Sequence, residues 1–210
     1  MNGIFKRGNI MSQEIIINNW VKTYLIGAMS KTKAGDAGAG WREKIQTELE
    51  LRVDKDENPI YVFNPCNAEQ NKVGLNPLEY HKKINGWLNS GNNHLVAEGS
   101  DLIWEGKHYI YLDKDNKPFL KVIPGDDFYV ERSDFVICMI NPGDSPCGTY
   151  YEAGYARKLK KPIYVLQTMK REEYSESFVG WVFSSGGDFF KTQNDLLEFL
   201  DKKYKLKRRK

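Results

Sequence analysis

No run of this sequence comes near the roughly 20 consecutive apolar residues that a membrane-spanning helix needs, and no membrane partner is expected. The opening residues, MNGIFKRGNI, lack the apolar segment of a secretory signal. Cysteine is scarce. Cys66, Cys138 and Cys147 show no metal-ligand spacing, and three thiols suit a reducing compartment better than a disulfide framework. Histidine is equally scarce, and His81, His94 and His108 stand too far apart in sequence to suggest a metal site. Neither sign of charge dominates. The net charge is +3, and much of the excess sits in residues 202–210, KKYKLKRRK, so a nucleic-acid polymer is not expected as a partner. Together these absences predict a cytoplasmic protein.

What is present suits one folded domain. Hydrophobic residues make up 40% and charged residues 28%, and 210 residues suffice for an α/β domain with an insertion. The chain is organised around residues 133–166, SDFVICMINPGDSPCGTYYEAGYARKLKKPIYVL. Residues 135–140 have the length and composition of a buried parallel strand. Residues 141–147 are turn-forming, with Asn-Pro, Gly-Asp and Ser-Pro steps. Gly148 and Thr149 then open a helix that Pro162 stops, and residues 163–166 form the next strand. Glu152 is placed in the first turn of that helix. In an open α/β sheet this turn lies beside the carboxyl ends of the strands, where ligands bind, and the helix dipole favours an ionised side chain there. An ionised carboxylate at the mouth of a sheet is a candidate nucleophile.

Ahead of this core, residues 1–19 read as a flexible leader and residues 22–29 as the first strand, which contains Gly27. A loop, SKTKAGDAGAG, carries Asp36 and precedes a helix over residues 41–51 and a strand over residues 60–63. This β-α-β opening puts a Gly-rich loop at the carboxyl end of strand one, where backbone can approach a phosphate or sugar. The insertion, about residues 64–124, predicts a helix over 77–88, a turn at 90–93, and a β-hairpin from residues 101–112 and 118–123. A short helix over 125–133 carries Asp126 and Asp127 into the central strand. Beyond residue 166 a last strand is predicted at 181–183 and a closing helix at 192–204. The domain thus spans residues 20–204, and residues 205–210 form a basic tail, read as a solvated, frayed end. The fold expected is a doubly wound, mostly parallel Rossmann-like sheet of about five strands in flavodoxin-like order.

Three acidic positions converge on one edge of such a sheet: Glu152, one of Asp126 and Asp127, and Asp36. A nucleophilic carboxylate with an acid/base carboxylate is the minimum equipment for cleaving a glycosidic bond through a covalent intermediate. Each also has a plainer explanation, as a helix N-terminal acid, a cap or a turn residue.

Three motifs carry a resemblance. They are YLIGAM followed by Asp36 and Trp41-Arg42; Asp126, eight residues before Asp134; and GTYYEAGYA, from Gly148 to Ala156. On them the chain resembles the nucleoside 2′-deoxyribosyltransferase family, including its nucleoside 5′-monophosphate N-glycosidase branch. The likeness covers about two-thirds of the chain and leaves out the insertion. It implies Glu152 as nucleophile and Asp126 as acid/base. It also implies substrate contacts from Gly27, Ala28, Met29 and Asp36, with Asp127 as a neighbouring candidate. The chemistry implied needs neither a metal nor another cofactor. Its partners are a nucleoside or nucleotide, an acceptor base, and further copies of the chain in a homodimer or larger homo-oligomer. One departure stands out. The transferases commonly carry another carboxylate six residues before the nucleophile, where this chain has Pro146. The monophosphate hydrolases have a phosphate-binding serine in this region, so Ser145, with Gly148 and Thr149, suits a 5′-phosphate. A phosphoribohydrolase of the lysine-decarboxylase-like type, whose motif also ends in G-T-x-x-E, is an alternative, but Ser-Pro-Cys precedes Gly148 in place of its double glycine. A non-catalytic nucleotide-binding or sensing module is the other.

Overall fold

A computed structural model of the chain describes residues 20–28, 39–66, 83, 86–93, 95, 106–112, 118–144 and 146–209. The leader, Met29, Asp36 and Ser145 lie outside them, as do residues 101–105 of the expected strand and most of the helix expected over 77–88.

The main sheet begins with β1 (Lys22–Gly27), whose run Tyr24, Leu25, Ile26 is fully buried. Helix α1 (Ala39–Glu50) follows and presents Ile45 and Leu49 to the core. Then come β2 (Arg52–Val53), β3 (Tyr61–Phe63), and a hairpin of β4 (Gly106–Leu112) and β5 (Pro118–Pro124). The short helix α2 (Asp126–Arg132) feeds β6 (Phe135–Met139), which leads to α3 (Cys147–Lys158) and β7 (Ile163–Leu166). The chain closes with α4 (Glu176–Ser184), β8 (Asp188–Phe190), α5 (Gln193–Tyr204) and β9 (Lys207–Arg208). Five strands form one sheet in the order β3-β1-β6-β7-β8, all neighbours parallel. Counted along the sheet's own strands, this is the flavodoxin-like order 2-1-3-4-5. The expected hairpin is present as a separate antiparallel pair, Gly106 opposite Pro124 and Leu112 opposite Pro118.

Strand alternation builds a core on each face. Tyr24, Ile26, Val136 and Cys138 face α2, α3 and α4, meeting Val130, Ala153, Ala156, Phe178 and Val182. Leu25, Phe135, Ile137 and Tyr164 face α1 and α5, meeting Ile45, Leu49, Leu196, Leu197 and Leu200. The sheet is therefore doubly wound, as the sequence pattern predicts. Ala153 and Ala156 are the buried small residues of α3. They let that helix sit close to the sheet, with Glu152 beside them.

Three expectations need correction. Residues 181–183 are not a strand. They lie inside α4, whose start is fixed by Ser175 accepting a hydrogen bond from the Phe178 amide. A three-residue apolar run carries too little periodicity to separate helix from strand. The last strand of the main sheet is β8, seven residues further on at its first position. A side chain at Gly187, just before it, would put its Cβ 1.9 Å from the Ile163 carbonyl oxygen, so the chain crosses β7 there only as glycine. Second, the basic tail is paired rather than frayed: Val53 aligns antiparallel with Lys207 and Arg52 with Arg208. The buried Arg52 reinforces the join, reaching Asp201 on α5 at 2.7 Å and Glu48 on α1 at 3.2 Å. Third, α3 starts at Cys147, which moves Glu152 out of its first turn and into the second.

Candidate active site

The chain leaves β1 to one side to form β3 and returns on the other side as β6. The crevice beyond Gly27 and Met139, which pair at the carboxyl ends of β1 and β6, is thus the topological switch point. Arg42 stands at this edge, fully buried. Its Nε donates to the Leu25 carbonyl at 3.2 Å and its Nη2 to the Gly27 carbonyl at 2.7 Å, and its guanidinium lies 4.7 Å from the Trp41 ring centroid. The Trp41-Arg42 pair of the sequence therefore closes the end of β1. It also explains Gly27. A Cβ there would lie 2.7 Å from the Met139 oxygen and 2.9 Å from the Trp41 ring, so packing alone demands glycine at this position. Ala28, next in line, is buried.

On the other side of the sheet, Glu152 is 6% exposed, and its Oε1 accepts a hydrogen bond from the Tyr24 hydroxyl at 2.8 Å. The helix dipole acts mainly in the first turn, so it does little for Glu152 in the second, where this hydroxyl is a donor to the carboxylate. Asp126, at the first position of α2, is 1% exposed. Burial pushes the Tyr24 phenol well above the usual tyrosine range. The negative charges of Asp126 and Glu152 add to that, and Arg42 opposes it. Tyr129, one turn along α2, stacks on Tyr24 with ring centroids 6.0 Å apart; burial, with the charge of Asp126, pushes it up to about 12. Burial raises the Cys138 thiol as well, and the charge of Glu152 adds to the effect. Both carboxylates therefore act on one buried phenol. That phenol is neutral at physiological pH and donates its proton to Glu152 in a hydrogen bond.

Asp126 and Asp127 part company here. Asp126 is buried beside Tyr24, while half-buried Asp127 accepts from the Tyr151 hydroxyl at 3.1 Å on the outer side of the helix pair. At the start of α3, Pro146 supplies no side-chain cap to the amides that follow it, including those of Gly148 and Thr149. Thr149 is 2% exposed, and its hydroxyl has no hydrogen-bond partner among the described residues. Asp144 folds back on the start of its own loop, its Oδ2 accepting from the Asn141 amide at 3.0 Å and side-chain nitrogen at 3.1 Å.

Of the residues singled out from sequence, the fold gathers Glu152 and Asp126 on one phenol, sets Gly148 and Thr149 on the same helix as Glu152, and turns Asp127 toward Tyr151. Sequence reasoning missed Tyr24 as a site residue. Its signal was present: a tyrosine inside an otherwise apolar buried strand needs a partner for its hydroxyl. Among the described residues no group of three His, Cys, Asp or Glu is placed to hold a metal ion, and no helix is long and apolar enough to cross a membrane. An open cleft of about 640 Å³, lined in part by Thr168, Lys170, Arg171 and Lys191, lies beyond β7 and β8 and does not include the two carboxylates.

Comparison with protein-family models and with curated proteins returns no match for this chain.

Proposed function

We propose that this protein cleaves the N-glycosidic bond of a nucleoside or its 5′-monophosphate through a covalent glycosyl-Glu152 intermediate. The observation that carries the reading is the Tyr24–Glu152 hydrogen bond, with buried Asp126 near enough for its charge to act on the same phenol. A glycosidic cleavage with a covalent intermediate needs one carboxylate held ionised and one able to carry a proton. The hydroxyl of Tyr24 donates to Glu152 and orients it as the attacking carboxylate, and Asp126 is the buried carboxylate that carries the proton in this reading. The likeness of the G-T-x-x-E-x-G-x-A motif to the nucleoside 2′-deoxyribosyltransferases supports the same assignment.

In the first step a Glu152 oxygen attacks the anomeric carbon, and a C–O ester bond forms as the C–N bond breaks. The electron pair of the broken bond goes to the base nitrogen, and Asp126 supplies the proton. In the second step Asp126, now a carboxylate, takes a proton from water or from an acceptor base. That nucleophile attacks the same carbon, and Glu152 leaves as carboxylate. Tyr24 holds Glu152 in line throughout.

The test is incubation with a panel of nucleosides and 5′-monophosphates, with and without a free acceptor base, followed by chromatography for released base. Release that needs an acceptor defines a transferase, and release without one defines a hydrolase. No release from any member of the panel contradicts the reading. The same likeness implies a homo-oligomer, for which a light-scattering mass above 24.3 kDa is the check.

A further inference from the structure

Helix α2 is only seven residues long, and its N-cap, Gly125, offers no side-chain cap. A helix of that length does not hold itself together in water. It is also joined through the single residue Gly125 to β5, so it follows directly on the inserted hairpin. Yet its first residue, Asp126, is buried beside Tyr24.

Two hydrogen bonds on the outer side tie α2 to α3. Tyr151 donates to Asp127 Oδ2 at 3.1 Å, and Tyr155 donates to Glu131 Oε1. The donors are four residues apart on α3 and the acceptors four apart on α2, so one helical face meets another rung by rung. The two tyrosine rings are parallel within 12°, with centroids 6.4 Å apart, and arrive as a pre-set pair. Tyr151 is 47% exposed, so its place is not explained by burial. The hydrogen bond to Glu131 pushes Tyr155 up to about 12, which keeps it a donor at neutral pH. The first rung borders the site directly: Tyr151 precedes Glu152, and Asp127 follows Asp126.

We infer that Tyr151 and Tyr155 are positioning residues: their two-rung ladder holds α2 in register on α3 and so sets Asp126 against Tyr24 and Glu152. The catalytic consequence rests on the glycosidic reading; the structural one does not. Among the described residues, the titratable and charged groups around this point include Tyr24 from β1, Glu152 from α3, Tyr129 from α2 itself and Cys138 from β6, with Arg42 from α1 opposing the effect of the carboxylates on Tyr24.

The experiment compares the full-length protein with the Tyr151→Phe/Tyr155→Phe double variant. Tyr150→Phe, at a side chain that packs on Phe178, controls for the loss of a hydroxyl on α3. Three readouts are taken: amide hydrogen exchange over residues 126–132, the Asp126 titration by carboxyl carbon NMR, and the pH profile of cleavage. Losing hydrogen bonds to charged acceptors predicts exchange in α2 faster by about tenfold or more, with β1 and β6 unchanged. With α2 loosened, the Asp126 titration shifts from its wild-type position, the pH profile shifts with it, and kcat falls with little change in KM. The control leaves all three in place. If α2 exchange is unchanged, or if it accelerates while Asp126 titrates as before, the inference is overturned. Should the wild-type protein turn over no nucleoside or monophosphate, the glycosidic reading fails by itself, and exchange and titration still decide the ladder.

Discussion

Tyr24 and Glu152 stand 128 residues apart in sequence and meet at 2.8 Å, the phenol of the first strand donating to the carboxylate of the central helix. Neither group can reach bulk water readily, since Tyr24 is fully buried and Glu152 nearly so. A buried carboxylate that loses a hydrogen bond is destabilised, so this bond couples the stability of the fold to the state of the site.

Tyr24→Phe is expected to lower stability by about 1.5–3 kcal/mol, the range for a hydrogen bond to a charged group. The pH dependence has a definite sign. The phenol's folded pKa lies above the ordinary tyrosine value, so its contribution is fully present below about pH 10. Above that, the unfolded chain releases the proton while the folded one keeps it, and stability falls as pH rises, by about 1.4 kcal/mol per pH unit for one proton. Urea unfolding between pH 8 and 11 should show this alkaline slope in wild type and a shallower one in Tyr24→Phe. Equal slopes would mean that the phenol is not held neutral by the fold.

Gly27→Ala is expected to destabilise the protein by about 1–3 kcal/mol, the usual cost of overpacking. The new methyl would meet the Met139 carbonyl at 2.7 Å and the Trp41 ring at 2.9 Å, and the Arg42 guanidinium behind them at 3.2 Å. Thermal unfolding is the check. An unchanged midpoint would show that the end of β1 has room to spare.

Much of this arrangement could be read from the chain and some could not. Four of the five strands of the main sheet announced themselves, through runs such as Tyr24 to Ile26, and the closing helix was read from Thr192, whose hydroxyl caps the Asp195 amide. Residues 181–183 misled because Trp-Val-Phe fits a buried strand as well as the apolar side of α4. The pairing of Lys207 with Val53 was invisible because two-residue strands carry no periodicity. The carboxylates of the candidate site were singled out by their motifs. Tyr24 and the Tyr151–Asp127 contact were not, since both depend on which helix lies over which strand, a matter of topology rather than local pattern.

Ser145→Ala separates the two substrate classes. If the loop before α3 holds a 5′-phosphate, the substitution should weaken monophosphate binding by about 1.5–3 kcal/mol, the range for a hydrogen bond to a charged group, and leave the parent nucleoside little changed. Asp144 bears on the outcome: Asn141 holds it within the loop, and its charge opposes a dianion nearby. Calorimetric titration of both ligands decides. Equal losses for the two, or a wild-type preference for the unphosphorylated nucleoside, would assign the loop to the sugar.

Glu152→Gln keeps the size and shape of the side chain, and its amide oxygen can still accept from Tyr24, so the fold should survive. The amide is a poor nucleophile, and turnover should fall by several orders of magnitude while binding falls much less.

The decisive measurement is mass spectrometry of the wild-type protein quenched during turnover and digested. A covalent mechanism predicts a peptide containing Glu152 heavier by one sugar residue, and no such adduct in Glu152→Gln. Released base with no adduct at any time point, or a Glu152→Gln variant that turns over at near the wild-type rate, would contradict it.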